Sequence, residues 1–125
     1  MAESGTGIVV SSKVIEAFHM MWDHFPQAVL LLKKSREIVA ANKWAMERGF
    51  VPDKKCYEVV GQSEIHAACK ANKALDSGDF ERSTTFDKAR GRVTDAYWLP
   101  IAGEKDLYLH FTVYVKLPQE SPPGQ

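Results

Sequence analysis

The stretch Leu107–Lys116 constrains the fold more than any other part of the chain. Leu107, Leu109, Phe111, Val113 and Val115 occupy alternate positions, with Tyr108, His110, Thr112, Tyr114 and Lys116 between them. Successive side chains of an extended backbone point to opposite sides, so this period of two specifies a β-strand with a buried apolar face. Such a strand needs neighbours for its backbone groups and a cover for its face. The remaining residues must supply both.

Partners for that strand are legible on either side. Phe80–Phe86 is rich in Ser and Thr, and Arg92–Ile101 carries Val93, Tyr97, Trp98 and Leu99, with Ala102–Asp106 as the turn before the last strand. Gln27–Lys33 and Glu37–Ala41 are short apolar runs flanking the polar turn Lys34-Ser35-Arg36, which predicts a β-hairpin. The helical signals are equally local. Ser11 or Ser12 caps a helix to about His24, whose Val14, Phe18, Met21, Trp22 and Phe25 form one apolar stripe before Pro26 ends it. Asn42 caps a short helix that Gly49 closes, and a further turn spans Cys56–Val60 before Gly61. Ser63 is read as the cap of a longer helix to about Ser77, with Gly78 just beyond it. Helix, two strands, short helices and three strands define an α+β chain with an antiparallel sheet. The central helices cover one face of that sheet, and the amphipathic first helix covers the other or finds a partner. The Tyr108, His110, Thr112, Tyr114 face is expected beneath that helix or against a partner subunit.

Composition excludes several classes. Lys and Arg total 16 and Asp and Glu total 16, so the formal net charge is zero, without the basic excess that captures nucleic-acid phosphates or anionic membrane surfaces. Two cysteines, Cys56 and Cys69, are too few for a disulfide scaffold. The longest apolar run, Ala28–Leu32, falls far short of the roughly 20 residues of a membrane helix. A cytoplasmic protein is expected. No Gly-rich phosphate loop, Gly-x-Ser-x-Gly elbow or His-Glu-x-x-His occurs, so no enzymatic activity is expected.

The order and spacing of these elements resemble the PAS sensor family. Phe25–Leu32 looks like its opening strand, Arg36–Lys43 like its second strand running into the Asn that starts a helix, and Cys56-Tyr57-Glu58-Val59-Val60-Gly61 like the segment before its long helix. Leu99–Glu104 and the alternating last strand resemble the end of its sheet. The resemblance implies a five-stranded antiparallel sheet of order 2-1-5-4-3 with short flanking helices and an N-terminal amphipathic helix. Residues 1–10 are then a tail, 11–24 the leading helix, 25–117 the PAS domain and 118–125 a Pro-rich tail. It also implies a sensory or signal-transduction module that binds a small ligand or homodimerises and passes its signal to a kinase, transcription regulator or other output, as in two-component systems.

Three sets of residues carry the site expectations. Trp44, Tyr57, Phe86, Trp98 and Phe111 are candidates to line a cavity between sheet and helices, or else to fill a small core. Val14, Phe18, Met21 and Trp22 are candidates for a dimer contact on the leading helix. Cys56, His66 and Cys69 are the candidate metal or haem ligands of a redox sensor: with Ser63–Ser77 helical, His66 and Cys69 lie three apart on one face and would present nitrogen and sulfur to one ion. The flavin-photosensor motif is absent, because neither Asn42-Lys43-Trp44-Ala45 nor Cys56-Tyr57-Glu58 matches it. The remaining alternative is a structural docking domain with a filled core. The ligand and any cofactor are left unspecified by the sequence.

Overall fold

The computed structural model describes residues 9–118. The tails expected at 1–10 and 118–125 lie outside that range except for Val9, Val10 and Pro118. Ser11 accepts a hydrogen bond from the Lys13 N–H (3.1 Å) and caps helix Ser12–Trp22, α1. Val29–Lys33 (β1) and Ile38–Ala41 (β2) form the hairpin. Glu81–Asp87 (β3), Arg92–Pro100 (β4) and Leu107–Lys116 (β5) follow as antiparallel neighbours. β5 also pairs antiparallel with β1, Leu109 opposite Leu31, which gives the order β2-β1-β5-β4-β3. The most regularly alternating segment is therefore the central strand.

Both faces of the sheet are covered, which is why Val29, Leu30, Leu31 and Leu32 are all buried although they point alternately up and down. On one face Leu30, Leu32, Trp98 and Tyr108 pack with Ala45 of helix Lys43–Met46 (α2) and with Ala71 and Ala74 of helix Ala71–Ser77, and Cys56 and Val59 of helix Cys56–Val59 (α3) pack against the same cluster. Ala71–Ser77 is α4, closed by Gly78 in the left-handed region at φ 72°, where a glycine carries no Cβ penalty. On the other face Val29, Leu31, Ala40, Leu107 and Leu109 pack against Phe18 of α1.

Three expectations need correction. The Tyr108 and His110 face lies on the α2–α4 side, and α1 takes the Leu107, Leu109 and Phe111 face instead. That choice buries the more apolar side of β5 against the apolar stripe of α1. Second, the stripe proposed as a dimer contact is occupied within the chain. Phe18 is 3% exposed, Val14 and Trp22 pack against the same cluster, and of the four only Met21 stands exposed, next to Met20. Amphipathicity states that a face must be buried, not what buries it. Third, the long helix from Ser63 is confined to α4, and residues 63–70 form bends and turns. Residues 62–68 are exposed, including Ile65. A helix there would gain no burial to offset the cost of nucleation.

The two edges of the sheet differ. At β2 the Ile38 N–H donates to the Lys54 carbonyl (2.8 Å) and the Ile38 carbonyl accepts from the Asp53 N–H (3.1 Å), while Ala40 and Ala41 are buried. β3 forms the opposite edge. No helix among the described residues is long and apolar enough to cross a membrane.

Candidate functional site

The site is built outward from Asn42, which is 0% exposed. Its Oδ1 accepts from the Val29 N–H (3.1 Å) at the start of β1 and from the Ala45 N–H (3.1 Å) in α2. Its Nδ2 donates to the carbonyls of Trp22 (3.0 Å), Phe25 (3.2 Å) and Gln27 (2.8 Å). One side chain thus ties the end of α1, the connection to β1, the strand itself and α2. The sequence identifies the capping half of this arrangement; the donor half requires knowing that the chain from Trp22 to Gln27 wraps past it.

Between this face of the sheet and the short helices lies a cavity of about 410 Å³, within the size range of small-molecule sites. Trp44, Tyr57 and Trp98 line it. Phe111 borders it too, but its ring stacks on Tyr97 (5.2 Å between centroids) and packs with Trp22 and Phe25 on the α1 side. Phe86 does not take part. It is 57% exposed on β3, the edge strand, away from the cavity wall. Arg48 caps the Trp44 ring, its guanidinium carbon 3.5 Å from the centroid, a cation–π geometry that holds the indole in place.

Cys56, His66 and Cys69 all border the cavity, but not as a ligand set. Among the described residues no group of three or more His, Cys, Asp or Glu side chains is placed to hold a metal ion. The reason is the missing helix: His66 and Cys69 belong to a tight turn in which the Cys69 N–H donates to the His66 carbonyl (3.1 Å), so they do not stack on consecutive helical turns. Burial pushes the Cys56 thiol up and Cys69 adds to the shift, against the opposing pull of Arg36. That environment favours the neutral thiol of Cys56 over its thiolate. His66, the candidate haem ligand, sits on an exposed turn at the cavity rim and not on a helix.

Two further residues at or behind the cavity wall carry no sequence signal of their placement. Arg36, read as part of a polar turn, is 2% exposed and adopts φ 78°. That left-handed turn directs the side chain inward, where its guanidinium bonds the Lys34 carbonyl and Asn72 Oδ1 (3.1 Å) and lies 5.9 Å from the Tyr108 ring centroid. No carboxylate pairs with it among the described residues, and its Nε has no partner there. His110, on β5, lies opposite Trp98 on β4 and stacks on it, 4.8 Å between centroids and 17° between planes. Both line the cavity.

Desolvation lowers the His110 pKa from the ordinary 6.5 to about 4, with Arg36 and His66 pushing the same way and the bond to the Tyr97 carbonyl opposing. Because the unfolded chain takes up this proton first, the group's contribution to stability is complete above about pH 6.5 and is lost as the pH falls towards about 4. We expect a loss of about 3 kcal/mol from this source across that window, and a flatter profile for His110→Gln in urea unfolding. Equal slopes for both proteins would assign the acid sensitivity elsewhere.

An antiparallel 2-1-5-4-3 sheet with short helices over a cavity on one face and a leading helix on the other is the PAS fold. No protein-family model matches the chain, and no curated protein matches it. Solved structures do. A sensory box sensor histidine kinase from Vibrio cholerae aligns with a TM-score of 0.59 at 17% identity, over 84% of this chain and 90% of that one. The photoactive yellow protein domain of the sensor histidine kinase Ppr from Rhodospirillum centenum gives 0.55 at 18% identity, over 80% and 96%. The PAS domain of nitrogen regulation protein NR(II) from Vibrio parahaemolyticus gives 0.52 at 18% identity, over 78% and 95%.

Proposed function

We propose that this chain is a non-catalytic sensory module that takes up a small, flat, largely apolar molecule between its sheet and its short helices. The observation that carries the reading is the cavity of about 410 Å³ walled by Trp44, Tyr57 and Trp98. A docking domain with a filled core would close that space at the packing density of protein interiors. The likeness in fold to sensory domains of histidine kinases supports the same reading. The proposal includes a cytoplasmic setting and output through a signalling partner such as a kinase or transcription regulator. It also includes homodimerisation, for which α1 offers Met20 and Met21 on its outer side.

Native mass spectrometry of freshly purified protein tests the central claim. The expected result is a bound small molecule, with occupancy reduced about tenfold in Thr112→Trp, whose indole would fill part of the space beside His110. A protein that emerges bare, and that no flat aromatic compound stabilises against heat, removes the reading.

A further inference from the structure

We infer that the cavity selects a flat ligand bearing an N–H or O–H group, which that ligand donates to Nε2 of His110. This rests on the cavity reading above and specifies the chemistry of its occupant. His110 Nδ1 lies 2.8 Å from the Tyr97 carbonyl oxygen. A carbonyl oxygen can only accept, so Nδ1 carries the proton and Nε2 of the neutral ring is left as a bare acceptor. Nε2 has no hydrogen-bond partner among the described residues.

The direction of that acceptor is fixed. β4 and β5 place Trp98 and His110 directly opposite each other, and face-to-face stacking at 4.8 Å sets the plane of the imidazole. The carbonyl bond then sets its rotation. The ring borders the cavity, so an apolar occupant without a donor would bury an unpaired lone pair, which is costly in a low-dielectric site. A donor-bearing occupant satisfies it while its own plane packs among the aromatic walls.

Charge narrows the class further. Among the described residues no Asp or Glu lines the cavity, whereas Arg48 does, lying over Trp44 and pairing outside it with Glu47 (3.7 Å). The buried Arg36 guanidinium, without a carboxylate partner among the described residues, lies behind the Tyr108 ring of the wall. Cationic donors such as ammonium groups meet like charge here. The ligand is therefore a neutral or anionic aromatic or heteroaromatic molecule with an N–H or O–H on its rim.

Indole and indene test this with nearly the same shape, since a CH₂ in indene replaces the N–H. By calorimetric titration at neutral pH, indole should bind the wild-type protein about tenfold more tightly. In His110→Phe, which keeps a stacking ring and removes the acceptor, the preference should vanish. Nitrogen-15 NMR of the wild-type protein should show the Nδ1–H tautomer, with the Nε2 resonance moving on addition of indole but not of indene. Equal affinities for the two probes, or an Nε2–H tautomer in the free protein, would overturn the inference and leave the cavity reading standing. Failure of both probes to bind at millimolar concentration would overturn both. The probe pair and the NMR measurement need only the wild-type protein, so the inference stays testable if His110→Phe does not fold.

Discussion

Replacing Asn42 with Ala is expected to remove about 4 kcal/mol of stability, a large part of the 5–15 kcal/mol or so that a domain usually has. The loss follows from what the amide holds. Without Oδ1 the N–H groups of Val29 and Ala45 lose their acceptor in the interior, and without Nδ2 the carbonyls of Trp22, Phe25 and Gln27 lose a shared donor. Asn42→Asp is the sharper variant. It keeps the acceptor side but turns a second oxygen, and a charge, towards those three carbonyls, so we expect it to be at least as damaging despite its nearly identical shape. The check is the urea midpoint at constant m-value. A loss below about 1 kcal/mol in both variants would show that the network is not what joins α1 to the sheet.

Phe18→Ala should cost a comparable amount, about 3–5 kcal/mol. Phe18 is the buried residue of α1, enclosed by Val29, Leu31, Ala40, Leu107 and Leu109, and truncation leaves a void lined by rigid strands. Phe18→Leu should cost far less. Two measurements together separate this role from a dimer contact. An intramolecular role lowers the urea midpoint and raises amide exchange throughout α1 at every protein concentration. A role in pairing would instead change the sedimentation coefficient and leave the midpoint of the monomer untouched.

Where the sequence was informative, the reason is local. The alternation in β5, the hairpin around residues 34–36 and the caps at Ser11 and Asn42 are written in neighbouring residues, and the fold follows them. Where it was not, the decisive contact is distant. Nothing near Ser63 shows that residues 62–68 have no surface to pack on, and the cap-like Ser63 invites a helix that burial does not support. The stripe on α1 has the same period whether it meets its own sheet or another copy. Phe86 and Phe111 were indistinguishable as aromatic residues in strands. One lies on an edge strand, and the other turns its ring to the α1 side. Arg36 was hidden by its company, since a turn of Lys, Ser and Arg reads as solvent-facing unless the left-handed φ is known. His110 stood in plain view on β5, but only the strand register reveals the carbonyl of Tyr97 and the ring of Trp98 beside it.

The unequal edges of the sheet set a limit on how copies of this chain can accumulate. Residues 53–55 already engage the outer side of β2 through Ile38 and the Glu37–Lys55 bridge, whereas β3 ends the sheet on the other side. A sheet with two free edges is bivalent, and strand addition can continue without end. Here the β2 edge is taken at Glu37 and Ile38, and on β3 the Arg82 carbonyl accepts from the Lys70 ammonium (3.0 Å). Backbone groups at both edges of the sheet are thus partly engaged against strand addition. In the language of polymers, the short segment after α2 is a partial end-cap that disfavours growth through β2.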